Sequence, residues 1–333
     1  MPDQNSDLLI FIDKKKQISM AMGRASPTVV AVLGAAAIDM IARVAEFPPA
    51  DGIVIAEHSL VAPGGSGGNV AEGLARLGYP VRFLGILGDD ENGRLLLSAF
   101  REAGVDTSTT RIHAGGRSAS CFIAVNPRGE RLIFSLGGMA LYENPEDIQP
   151  DWLQNVKILY LADAYPNVAL AALNHLEPDA RVVFNPGGLM TSLGMTELRP
   201  LLRRTQVLIT NQVEAKALTG ENDIDQAARQ MAGMGPAVVI VTLGGQGSLL
   251  FTGGEITHHP GAPALKVVDT TGAGDAFSAG VVAGMLEGFE WNAIINLASE
   301  VAAIKVQNFG SRAGLPSRNQ VNRLAGKITM NGL

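Results

Sequence analysis

The chain has 333 residues, 47% of them hydrophobic and 17% charged, so it can bury a sizeable core, and the composition excludes disorder for its bulk and favours one large α/β domain with at most a small appendage. A net charge of −6 with no basic stretch argues against nucleic-acid binding. The single Cys121 cannot close an intramolecular disulfide and suits the reducing cytoplasm, and no run reaches the ~18 apolar residues of a transmembrane helix, so no membrane partner is expected.

Residues 1–27 read as an N-terminal extension ahead of a domain over 28–333. Their apolar run, Leu8 to Ile12, is shorter than the ~7–15 residues of a secretion signal, and Lys14 to Lys16 follow it. Thr28 to Gly34 is a β-branched run ending in Gly, as in a buried strand. Residues 40–62 alternate in short pieces broken by Pro48, Pro49 and Gly52, which suits strands with one exposed face. Gly68 to Leu77 has helical spacing, with Val70, Leu74 and Leu77 on one face. Val81 to Leu87 predicts a strand, and Asn92 to Ala103 a helix closed by Gly104. Ser118 to Val125 and Arg131 to Leu136 flank the turn NPRGE and predict an antiparallel hairpin. Strands follow at Ile158–Ala162, Val182–Phe184, Val207–Thr210 and Val238–Leu243, with helices such as Val168–Leu176 and Ile224–Met234 between them. Repeated βα units with continuous apolar strands predict a mainly parallel, doubly wound sheet. The segments 40–62 and 117–137 do not fit that sheet and predict a small separate β-sheet that covers one end of it.

Two Gly-rich turns carry the chemistry. Val268 to Met285 reads VDTTGAGDAFSAGVVAGM, small and polar first and helical from Ala273. Gly272 and Gly274 leave amides uncovered at a helix start, where the dipole also favours an anion. Asp275, in the first turn, would repel phosphate but could take the proton of a hydroxyl attacking it. Taken alone, GAGD reads equally well as a capping Asp after a Gly turn. Pro63 to Asn69 (PGGSGGN) also opens a helix; its glycines permit close backbone approach, and Asn69 offers a donor and an acceptor suited to a neutral polyhydroxylated ligand. Alone, it reads as a flexible loop with an Asn cap. His258 and His259 lack Cys or carboxylate neighbours at metal-ligand spacing and read as exposed loop residues.

Together, Gly64, Gly65, Gly67 and Asn69 (G-G-x-G-x-N) and Asp269 to Asp275 (D-T-x-G-A-G-D) give the chain a resemblance to the ribokinase (PfkB) family of carbohydrate and nucleoside kinases. The resemblance runs from about Thr28 to Pro316 and implies a three-layer α/β/α domain with a β-sheet lid, ATP and Mg²⁺ as cofactors, and a small-molecule sugar or nucleoside acceptor. It makes Asp275 the base, with the amides of Gly272, Ala273 and Gly274 on the transferring phosphoryl group. It places Asp39, Gly65, Ser66, Asn69 and Asp163 at the acceptor, and Asn211, Thr242, Gly244, Gly247 and Asn308 at the nucleotide. Glu214, in Asn211-x-x-Glu214, would act on Mg²⁺ through water. Asp269 and Thr271 would belong to a possible K⁺ site, and Gly310 to Pro316 to a loop flanking the adenine. Ser66 stands where sugar-phosphate kinases commonly have Lys, which favours an unphosphorylated acceptor. Among lid arginines, Arg43 and Arg117 are expected to point inward, Arg128 and Arg131 to be solvated. A free-sugar kinase is the expected function; a nucleoside kinase and a catalytically silent binding protein are the alternatives. Exposed lid edges imply a homodimer.

Overall fold

The computed structural model describes residues 30–320; the extension expected over 1–27 lies outside the described residues. In chain order the strands are β1 (Val30–Gly34), β2 (Ala37–Arg43), β3 (His58–Gly64), β4 (Val81–Leu84), β5 (Ile86–Gly88), β6 (Arg111–His113), β7 (Ser120–Val125), β8 (Arg131–Ser135), β9 (Ile158–Ala162), β10 (Arg181–Asn185), β11 (Val207–Asn211), β12 (Val238–Thr242), β13 (Ser248–Thr252) and β14 (Glu255–His259). The main sheet has the order β14-β13-β12-β11-β10-β9-β1-β4. It is parallel from β12 to β4, and β13 and β14 add an antiparallel end.

Both faces of this sheet are covered, because the central positions of the parallel strands are mostly apolar in both registers. Val30 and Val32 of β1 pack beneath the helices Ser66–Arg76, Glu91–Ala103, Ala273–Glu287 and Trp291–Lys305. Their neighbours Ala31 and Leu33 enter the opposite layer, against Pro166–Asn174, Gly194–Leu202 and Ile224–Ala232. Period-two alternation with apolar residues in both registers is what a three-layer α/β/α domain needs.

The lid is a four-stranded sheet ordered β3-β2-β7-β8. β2 pairs antiparallel with β3 and parallel with β7, so the two segments of the lid meet along one central seam. The lid begins at Ala37 rather than 40, and residues 44–57 between β2 and β3 are irregular. The expected strand Val81–Leu87 is two, broken at Gly85: β4 joins the main sheet and β5 pairs with β6. β13 and β14 were not foreseen, although the Gly253–Gly254 pair between them is a hairpin signal. His258 and His259 lie in β14 rather than in a loop, and His258 pairs with Asp225 at 2.9 Å.

The helix Ala273–Glu287 is buried along most of its length and packs tightly on Trp291–Lys305. A Cβ at Gly280 would sit 2.6 Å from the Ala298 Cα. Gly280→Val should therefore overpack this contact and cost about 1–3 kcal/mol, read as a lower urea midpoint at unchanged m-value. A midpoint equal to that of the unsubstituted chain would show that the two helices can separate freely.

Candidate active site

The parallel strands deliver Asp163, Asn185, Asn211 and Thr242 at or just past the carboxyl ends of β9, β10, β11 and β12, the end of an open α/β sheet where ligands bind. The lid stands over the same end. Two hydrogen bonds join it to the second Gly-rich turn: Thr270 Oγ1 donates to the Gly129 carbonyl at 3.0 Å, and Arg43 Nη2 to the Val268 carbonyl at 2.7 Å.

That turn is held from within. Asp269 is fully buried, and its Oδ1 accepts from the Thr271 amide at 2.8 Å and the Thr271 hydroxyl at 2.7 Å, while Oδ2 accepts from the Gly310 amide at 2.9 Å. Asp269 and Thr271, expected around K⁺, thus have their side chains bonded to each other. The Asp269 carbonyl instead accepts from Lys305 Nζ at 3.1 Å. Gly272 opens the helix Ala273–Glu287 at φ 77, and a Cβ there would run into the Ser311 carbonyl, so only Gly fits. The Ala273 amide is committed to the Thr270 carbonyl at 3.1 Å, which corrects its expected place among the phosphoryl-binding donors. The amides of Gly272, Gly274 and Asp275 have no protein partner among the described residues, and they form an anion-binding cradle at a helix N-terminus.

Asp275 sits in the first turn beside that cradle. Its Oδ2 accepts from Asn69 Nδ2 at 2.7 Å, and Asn69 Oδ1 accepts from Arg312 Nε at 2.9 Å. Arg312 is buried; it also donates to Glu72 at 2.9 Å and to the Gly64 carbonyl at 2.7 Å, and lies over the Phe100 ring. Asn69, expected at the acceptor, therefore steers the carboxylate of Asp275. Burial first, then the nearby Asp163, push the Asp275 carboxyl up to about 6, against the pull of Asn69, Arg131 and Lys305. Burial drives the Lys305 ammonium down to about 8, partly offset by Asp269 and Asp275.

At the acceptor end, Asp39 lies within lid strand β2, opposite Ala62 of β3 and Cys121 of β7. It is buried and bonded to the Ser311 hydroxyl, and burial lifts its carboxyl to about 6. A Cβ at Gly64 would collide with this carboxylate, which accounts for the first glycine of the turn. Ser66 Oγ donates to Asp163 Oδ2 at 2.6 Å, and burial raises the carboxyl of Asp163, a non-glycine residue at φ 54. Gly65 adopts φ 79 at the mouth of the helix Ser66–Arg76. Of the lid arginines, Arg43 points inward, onto Phe309. Arg117 turns outward to the Leu136 carbonyl, and Arg128 pairs with Glu130 on the surface. Arg131 is exposed, as expected, but its register puts it on the lid face of Val125 and Arg43, and it acts electrostatically on Asp275 and Lys305.

At the nucleotide end, Asn211 and Thr242 are register partners on β11 and β12. Asn211 and Glu214 form a reciprocal capping box on the helix Gln212–Thr219, which explains their spacing by local physics. One Glu214 oxygen stays clear of that box, and burial raises its carboxyl further in the presence of Asp163 and Asp275. Gly244 and Gly247 form the turn between β12 and β13, and Asn308 is exposed after the helix Trp291–Lys305. No three His, Cys, Asp or Glu side chains cluster as a self-sufficient metal cage among the described residues. A divalent ion held by one carboxylate, water and phosphate oxygens is the arrangement that Mg²⁺ favours, and Glu214 fits it. Arg312, Glu72, Ser311 and Lys305 were not foreseen as site residues. Ser311 and Arg312 stood in the quoted late loop but were expected near adenine; here Ser311 reaches Asp39 on β2 and Arg312 the first Gly-rich turn.

A parallel sheet whose strand ends face an anion cradle, with a carboxylate beside it and a lid above, defines a phosphotransferase that acts on alcohols. The pfkB family carbohydrate kinase model matches residues 27–318, and the chain belongs to that family. An uncharacterized sugar kinase of Archaeoglobus fulgidus is 34% identical over 73% of this chain and 98% of its own length. The ribokinase of Arabidopsis thaliana, solved with ribose and ATP, is 27% identical with a TM-score of 0.77, covering 90% of this chain and 98% of that one. The adenosine kinase of Sinorhizobium meliloti is 26% identical with a TM-score of 0.80, over 90% and 99%. The chain thus shares both the family and the fold of the ribokinase-type kinases.

Asp275→Asn keeps the size of the side chain and the bond to Asn69 but removes the base, so turnover should fall ~10²–10⁴-fold. Because the native carboxyl titrates above its unfolded value, the native state binds the extra proton, and ionising Asp275 costs stability as pH rises from about 4 to about 6. The same variant should therefore melt higher at neutral pH, at about 2–4 °C per kcal/mol gained. Wild-type kcat/KM should fall as pH drops below about 6, along a limb shared by the coupled carboxyls of Asp275 and Asp39. Activity within a few-fold of wild type in the Asn variant would remove Asp275 from this role.

Proposed function

We propose that the protein transfers the γ-phosphoryl group of ATP to a hydroxyl of an unphosphorylated sugar. The observation that carries this reading is Asp275 in the first helical turn, beside the unpartnered amides of Gly272 and Gly274. Asp39, with Ser66, Gly65 and Asp163 around it, grips neighbouring hydroxyls of the acceptor and turns one towards Asp275. Asp275 accepts that hydroxyl's proton as its oxygen bonds to the γ-phosphorus, and the bond to the bridging β–γ oxygen breaks to release ADP. The open amides and Arg131 meet the charge on the equatorial oxygens. Asn211, Thr242, Gly244, Gly247 and Asn308 line the nucleotide end. Mg²⁺, held by Glu214 through water, would neutralise charge between the phosphates.

The absence of a substrate phosphate follows from how the inward cations are spent. Arg43 is tied to Val268 and Phe309, Arg312 to Glu72 and Asn69, and Arg131 lies towards the anion cradle. Ser66 bonds to Asp163 where a cation could have stood. The likeness to an adenosine kinase favours nucleosides as the second reading. ATP consumption with ribose, fructose and adenosine, set against fructose 6-phosphate, separates these readings; preference for the phosphorylated sugar would overturn the proposal. Asp39→Asn should raise the acceptor KM by about one to two decades, from a charge-assisted bond worth roughly 1.5–3 kcal/mol, and leave the KM for ATP nearly unchanged.

The lid also supports a homodimer. Phe122 and Phe134 are register partners on its outer face, Leu132 lies beside them, and β8 is an open edge. Phe134→Asp should shift the protein from dimer to monomer in light scattering; a monomeric parent protein would rule this interface out.

A further inference from the structure

Lys305 ends the helix Trp291–Lys305, and its side chain is shut off from solvent, at 0% exposure. Burying an ammonium is costly unless something in the fold holds it. What holds this one is a main-chain oxygen, the Asp269 carbonyl at 3.1 Å. The Asp269 carboxylate is not available as a direct partner, since Thr271 and Gly310 already occupy both of its oxygens. The surrounding backbone is stitched together: the amides of Val268 and Asp269 both donate to the Val306 carbonyl, at 2.8 and 3.1 Å, and the Asn308 amide donates to that of Lys305 at 3.1 Å. The charged groups acting on Lys305 are Asp269, Asp275 and Arg131. A buried positive charge thus stands where the second Gly-rich turn meets the late loop, coordinated by a carbonyl as an alkali ion would be.

A K⁺ ion does not fit here. Its side-chain ligands would be Asp269 and Thr271, which are bonded to each other, and a second cation beside a buried ammonium would meet strong repulsion. We propose that the Lys305 ammonium is this site's monovalent cation, tethered to the chain, so that the enzyme needs no exchangeable K⁺. Lysine suits the part because its ammonium is a compact point charge with three donors on a long stem. Its work is to fix the anion cradle against the late loop and to supply charge below the transferring phosphoryl group. The role in turnover rests on the function proposed above; the role in folding does not.

The test compares KCl with choline chloride at matched ionic strength, by turnover and by melting temperature. Wild-type kcat and KM for ATP should change by less than about twofold, the scale left to nonspecific screening, and its melting temperature should be the same in both salts. Lys305→Ala, which opens room for an ion, should lose about 10²-fold in kcat in choline chloride. KCl, NH₄Cl or propylammonium chloride should restore much of that loss, and KCl should raise the variant's melting temperature above that in choline chloride. K⁺ activation of the wild type beyond twofold, or a K⁺-dependent rise in its melting temperature, overturns the proposal. So does a folded Ala variant that no cation rescues. Should the Ala variant fail to fold, Lys305→Met keeps the stem without the charge, and an unchanged kcat there would equally overturn it. If no acceptor is turned over by any form, the proposed function fails while the melting comparison still decides the cation question.

Discussion

One buried guanidinium organises the acceptor half of the site. Arg312 arrives from the late loop and spends its donors on the Gly64 carbonyl, Asn69 and Glu72, with Phe100 under its plane. It thereby joins two pieces of chain about 240 residues apart, the first Gly-rich turn with its helix and the loop after the last described long helix. The orientation of Asp275 depends on it through Asn69. Removing one partner of such a buried pair costs roughly 3–5 kcal/mol, because the other charge is left without compensation.

The same region gathers more carboxylates than a fold would choose for stability alone. Asp39, Asp163, Glu214 and Asp275 all titrate above their ordinary values, chiefly through burial. Arg131, Lys305 and Arg312 offset part of that repulsion and do not neutralise it. The imbalance suits a reaction that brings in divalent metal and needs a base near neutrality.

Much of this was legible in the sequence. Continuous apolar stretches identified β9 to β12 to within a residue at each end, since burial on both faces keeps the strand centres apolar and leaves polar residues such as Arg181, Asn185 and Asn211 at the ends. The Gly-rich turns were legible because glycine there answers a steric demand: the Asp39 carboxylate at Gly64 and the Ser311 carbonyl at Gly272. The partners of the site residues were not legible. Nothing local in the sequence says that Asn69 will bond to Asp275, 206 positions away, or that Arg131 will share a lid face with Arg43 while Arg117 turns outward. Those outcomes depend on strand register, in which a shift of one residue exchanges the two faces of β8. Lys305 escaped notice for a related reason, because a lone lysine at a helix end ordinarily reads as a solvated cation complementing the dipole.

The position of Asp39 on β2 makes clamp and roof a single stretch of backbone. On the proposed function, an alcohol held by Asp39 would bear on a central strand of the lid, which Arg43 and the Gly129 turn join to the second Gly-rich turn. On the same proposal, water would meet Asp275 without engaging Asp39 and so would exert no pull on the lid. Discrimination between sugar and solvent would then be a matter of leverage rather than nucleophilicity, and new acceptors could be accommodated in the lid while the sheet below remains as it is.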